Sequence, residues 1–137
     1  MIRANATTWT SVLARERVAD RPRPDVWSPL EYSCHVRDVF RTYDARVALM
    51  LGRDDPTFPD WDQDATAVDD EYGLQDPAVV AVDLVDAAER LASRFDVVAP
   101  DQWDRTGTRS DGSRFTVESL ARYMIHDPVH HLHDVGA

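Results

Sequence analysis

The chain has a single cysteine, Cys34, in 137 residues, so it can form neither an internal disulfide nor a CxxC metal or redox pair. It also lacks a surplus of positive charge. Fifteen basic residues stand against twenty-five acidic ones, for a formal net charge of −10 and a pI near 4.7. Binding to a phosphate backbone needs clustered cations that release counterions. The nearest cluster, Arg15, Arg17, Arg21 and Arg23, is interrupted by Glu16 and Asp20. Nucleic acid and anionic membranes are therefore not expected partners. No apolar run approaches the ~20 residues needed to cross a bilayer. The first residues, MIRANATTWTSVLARER, lack the apolar middle of a secretory signal, so cytoplasmic residence is the expectation. Neither a GxSxG nucleophile elbow nor a glycine-rich phosphate loop is present.

What is present is helical. With 43% hydrophobic and 29% charged residues, the composition is that of a globular protein, and residues 1–137 are expected to form one domain. The first helix is predicted from about Ala6 to Asp20, stopped by RPRPD. The second opens at Ser28-Pro29-Leu30-Glu31, which combines an N-cap, a first-turn proline and a capping-box glutamate. Tyr32, Val36, Val39, Phe40, Tyr43, Val47 and Met50 then recur at helical spacing, up to Gly52. The third begins at Asp76-Pro77 and stops at Pro100, and the fourth runs from near Thr116 to the C-terminus. Asp111-Gly112 signals a tight turn, and with it a small hairpin. Four amphipathic helices cover one another's apolar stripes in a four-helix bundle. This all-α fold would have one long crossover, since more than twenty residues separate helices two and three. A connection that long is expected to contain a short helix or to serve the site.

Four of the five histidines fall in HDPVHHLHD, residues 126 to 134. His126 and His130 are four apart, a spacing that lets two imidazoles on one helix reach a common ion. His35, on the flank of the second helix's stripe, is the candidate third ligand; three histidines with an open position are the catalytic zinc pattern. The plain alternative stays open, because HxxxH also occurs on solvated faces. Drawn as an uninterrupted helix, His126, His130 and His133 fall away from the stripe of Leu120, Met124 and Leu132. Pro128 could kink or rephase the helix between the two ligands. His131 points elsewhere and reads as a packing or outer residue. HDPVH places Asp127 where the HExxH motif has its glutamate base, which argues against a metalloprotease.

The stretches WSPLEYSCHVRDVF and RFTVESLARYMIHDPVHHLHDV, together with WDQDATA in the crossover, resemble the DinB/YfiT-like superfamily. That group includes mycothiol-dependent maleylpyruvate isomerases and bacillithiol or mycothiol S-transferases. The resemblance implies a divalent ion, usually zinc or nickel, held by His35, His126 and His130 with an exchangeable position for water or a substrate thiolate. It also implies thiol-transferase or hydrolase chemistry on a small molecule, with a low-molecular-weight thiol as a candidate cosubstrate. A homodimer is compatible with the resemblance and with nothing else in the sequence. The rival from another class is a non-catalytic bundle that binds a small molecule or a metal.

Other residues have candidate roles around this centre. Asp38 or Asp127 would orient a ligand imidazole through its second nitrogen, and Arg37, Arg41 or Arg46 would hold a substrate carboxylate. Trp61 and its acidic neighbours would form a lid, as against a plain solvated loop. Asp60, Asp62, Asp64 and Glu71 match a calcium-loop spacing, but Ala65 stands where that loop needs glycine. Cys34 reads as a small buried hydrophobe.

Overall fold

The computed structural model describes all residues from Met1 to Ala137. The strongest local signal is realised as read. The Ser28 hydroxyl accepts from the Glu31 backbone N–H, and the Glu31 carboxylate accepts from the Ser28 N–H, both at 3.1 Å. This reciprocal cap starts α2, Pro29–Gly52. Asp76 caps α4, Pro77–Asp96, by accepting from the Ala78 N–H alone, and Thr116 with Ser119 forms a second reciprocal cap at α5, Val117–Asp134.

The first helix, α1, spans Ile2–Leu13, earlier than the expected Ala6 to Asp20. Arg17 turns left-handed with φ 56°, and the Val18 carbonyl accepts from the Leu30 N–H at 2.9 Å. Val18 is thereby buried in a small cluster with Leu13 and Leu30. A helix carried on to Asp20 would keep Val18 on the axis of α1, so its burial against the start of α2 ends the helix early.

The main core lies where α1, α2, α4 and α5 meet. Trp9, Val36, Phe40, Leu84, Leu91 and Leu120 are among its fully buried residues. The bundle expected from periodicity is thus the bundle found. No helix is long and apolar enough to cross a membrane.

The long crossover carries three short elements. It holds β1 (Thr57–Phe58), a short fifth helix α3 (Gln63–Asp69) and a 3₁₀ turn at Tyr72–Leu74. β2 (Thr106–Arg109) and β3 (Arg114–Thr116) form the expected antiparallel hairpin, with Gly112 at φ 90° in its turn. β1 pairs parallel to β2, Thr57 opposite Thr108, which ties the crossover to the hairpin. Gly107 permits this seam. A Cβ there would lie 2.9 Å from both Met50 Cγ and Phe58 Cε1, closer than side-chain atoms pack.

The calcium-loop spacing is spent on local structure. Asp62 caps α3 by accepting from the Ala65 N–H, Asp60 accepts from the Trp61 N–H, and Glu71 is left-handed at φ 49°.

Candidate metal centre

His35 sits within the buried face of α2 and has no solvent exposure. Both of its ring nitrogens are buried without a hydrogen-bond partner. An imidazole in that state has lost its hydration on both sides and makes no hydrogen bond in return, which is rare among buried polar groups. Opposite it, α5 presents Asp127 and His131, four residues apart and therefore one above the other. One donor atom from each of His35, Asp127 and His131 lies within 4.8 Å of the other two. The His35 Nε2 to Asp127 Oδ2 distance is 3.7 Å, long for a hydrogen bond and short enough for a shared cation to draw in.

The expected trio is not the one that converges. His35 is in place, but His126 and His130 are exposed and stand outside the group, as does His133. The reason is geometric. α5 stays helical through Pro128, so no rephasing occurs. At 100° per residue, positions four, seven and eleven beyond the buried Leu120 face inward, and those are Met124, Asp127 and His131. The signal that could have found them was that stripe, read to its end with a carboxylate admitted as a ligand. His130, 68% exposed at its side chain, lies 3.7 Å from Asp134.

Pro128 is buried, and its carbonyl accepts from the Trp9 indole N–H at 3.3 Å. That contact fastens the turn between Asp127 and His131 to α1. It offsets part of the ~3 kcal/mol an interior proline costs.

Each donor is held by a different means. His131 Nδ1 is 2.8 Å from Asp134 Oδ2, so the Nδ1–H donates to the carboxylate and Nε2 is left as the free ligating atom. Burial lowers the His131 pKa against the opposing pull of Asp134, which favours the neutral, ligating form. The His35 ring, and after it the charge of His131, hold the Asp127 carboxyl below the ordinary aspartate value although its burial opposes this. The orienting carboxylate is therefore Asp134, which the spacing argument passed over. Asp38 is engaged elsewhere, by the Tyr72 hydroxyl and by Arg37 Nε at 3.0 Å.

Aromatic rings wall the centre. Trp61 stacks on His35 with centroids 5.5 Å apart and planes at 14°, and Trp27 meets the same ring at 5.5 Å. Tyr32 packs on His131 at 4.9 Å. Trp61 is supplied by the crossover and anchored by its indole N–H to the Thr66 hydroxyl at 2.8 Å. Asp127 keeps 47% of its side chain exposed, so the approach from solvent lies on its side.

The remaining candidates are committed. Arg37 donates to Asp38 and to Gln75 Oε1, and Arg46 donates to the Pro59 carbonyl and lies over the rings of Tyr43 and Phe58. Arg41 is exposed, between Asp38 and Asp83 at 3.6 Å from each. Cys34 is fully buried and its thiol pKa is pushed up to about 12 by burial, so it is no nucleophile at neutral pH.

The arrangement passes a direct test for an ion. Two partnerless buried nitrogens on His35, a neutral imidazole aimed by a carboxylate, and one anionic oxygen make a two-nitrogen, one-oxygen donor set of the kind that binds divalent metals.

Comparison with known proteins agrees with the architecture. The family described as the DinB superfamily matches residues 2–135. Among solved structures, YfiT from Bacillus subtilis, described as a probable metal-dependent hydrolase with an unusual four-helix bundle topology, superposes with a TM-score of 0.80 at 18% identity. The match covers 98% of this chain and 79% of that one, and it shows the fold. No curated protein matches the sequence.

Proposed function

The chain belongs to the DinB superfamily, and from that premise we propose that it is a metal-dependent enzyme for small molecules, with His35, Asp127 and His131 holding a divalent ion. The observation that carries this is the pair of orphaned nitrogens on fully buried His35, facing a carboxylate and a second imidazole. Two histidines and one carboxylate with an open position match catalytic zinc sites, so zinc is the first candidate and nickel the second. A bound ion would supply Lewis acidity, polarising a carbonyl or lowering the pKa of a water or thiol.

The chain's own groups do the rest. Asp134 fixes the His131 tautomer. Trp27, Trp61 and Tyr32 exclude water from the flanks of the two imidazoles. Asp127, half exposed at the mouth, leaves the solvent side of the centre open to an incoming substrate. Hydrolysis is the preferred reaction, supported by what YfiT is described as. Transfer to a low-molecular-weight thiol such as mycothiol or bacillithiol is the second, and rests on family likeness.

Elemental analysis of protein purified without a histidine tag tests the site. About one ion per chain is expected, lost in Asp127→Ala and His131→Ala and retained in His126→Ala and His130→Ala. The opposite pattern would overturn the assignment. Ligand-induced stabilisation without chelator-sensitive turnover would favour a binding module over an enzyme.

A further inference from the structure

An apolar groove of about 370 Å³ runs along α2 beside the centre. Thr42, Ala45 and Leu49 form its floor, and Phe58, Pro59 and Trp61 form its outer wall. Its position follows from helical spacing. Thr42, Ala45 and Leu49 stand seven, ten and fourteen residues beyond His35, so all four share one face of the helix. The groove therefore begins about two turns beyond His35 and runs toward the C-terminal end of α2, with Trp61 between it and the His35 ring. Trp61 belongs to both, lining the groove and stacking on the His35 ring. Near-parallel rings with centroids 5.5 Å apart are offset, so the indole flanks the imidazole and bridges it to the groove.

Both charged residues at the groove already have partners within the protein. Arg46 is buried, donates to the Pro59 carbonyl at 3.0 Å and lies 5.0 Å and 4.9 Å over the rings of Tyr43 and Phe58. Asp60 faces Arg109 at 3.6 Å. The volume lies near the lower end of ligand sites, which run from about 300 to 1,000 Å³. It suits one arm of a ligand rather than a whole one.

We infer that this groove seats a short, uncharged apolar arm of the substrate, whose reacting head lies at His35, Asp127 and His131. The substrate class is then a small amphipathic molecule, with an oxygen or sulfur head that coordinates a metal and an aliphatic or aromatic arm. This assignment depends on the metal site proposed above.

Alkyl hydroxamates combine a chelating head with an arm of chosen length. Zinc-loaded protein should bind them more tightly by about fourfold per methylene from acetohydroxamate upward, levelling off once the arm fills the groove. Ala45→Phe plugs the groove from an exposed helix position and touches none of the donors. It should abolish the length dependence and leave zinc content and acetohydroxamate affinity unchanged. Equal affinity for acetyl and octanoyl hydroxamate in the wild type, or a length dependence that survives Ala45→Phe, overturns the inference. If the protein takes up no zinc, the function reading fails, and the groove is judged on metal-free protein with 1-heptanol. Binding lost in Ala45→Phe then supports the groove, and equal or absent binding in both proteins refutes it.

Discussion

Replacing His35 with leucine should raise the stability of the metal-free protein while removing its response to metal. The ring carries two buried nitrogens with no partner. A buried donor or acceptor left unsatisfied costs about 1–3 kcal/mol, so the pair costs about 2–6 kcal/mol in the metal-free fold. The Asp127 carboxylate, 3.7 Å from Nε2, returns part of that. Leucine, of similar size, forfeits the stacked contact with Trp61, worth about 0.5–1.5 kcal/mol. A net gain of about 1–3 kcal/mol remains. Unfolding entropy of ~2.1 cal/mol/K per residue makes each kcal/mol worth about 3.5 °C in a chain of this length, so His35→Leu should melt about 3–10 °C higher in chelator. Zinc in hundredfold excess over its Kd adds about 2.7 kcal/mol, or about 9 °C, to the wild type alone. Thermal melts by circular dichroism, with chelator and with zinc, should therefore show the variant ahead in chelator and the gap closed or reversed in zinc. A metal-free variant less stable than the wild type, or equal zinc shifts in both, would refute the reasoning and make His35 an ordinary core residue.

Three further outcomes are expected. Asp134→Asn should weaken zinc binding about 10–100-fold in competition with a chelating dye, because it loosens the hold on the His131 tautomer. A ten-to-hundredfold loss with an unchanged metal-free melting curve separates this positioning role from a structural one. Glu31 is held below the ordinary glutamate pKa first by its hydrogen bonds from Arg21, at 2.7 and 2.6 Å, with the Ser28 cap adding to it. Its contribution is therefore complete above the unfolded pKa of about 4.3 and is lost as pH falls through the lower folded value. Denaturant titrations should show a flatter acid limb for Glu31→Gln. Cys34, buried and with its thiol pushed up to about 12, should resist a disulfide reagent in the native state and react at once on unfolding; rapid native labelling would contradict its burial.

Much of this protein could be read from the order of its residues. The cap at Ser28-Pro29-Leu30-Glu31, the stripe of Val36, Val39 and Phe40, and the turn at Asp111-Gly112 are local devices. Their outcome depends on neighbours within about a turn, so sequence alone determined the helices α2, α4 and α5, the hairpin and hence the bundle. His35 was legible as a candidate on the flank of the second helix's stripe, and its complete burial came from the packing.

The partners of His35 were decided by the tertiary structure. Spacing on α5 offers several pairs four apart, His126 with His130 and Asp127 with His131 among them. They differ only in which faces inward, and that depends on whether Pro128 rephases the helix. Trp9, 119 residues earlier, anchors the Pro128 carbonyl in a helix that runs on without a break. The same holds for Trp61, carried onto His35 by a crossover whose course is set by pairing with β2. The Leu120 stripe turns Asp127 and His131 inward only if the helix runs on unbroken, and contacts between residues so far apart in the chain decide that.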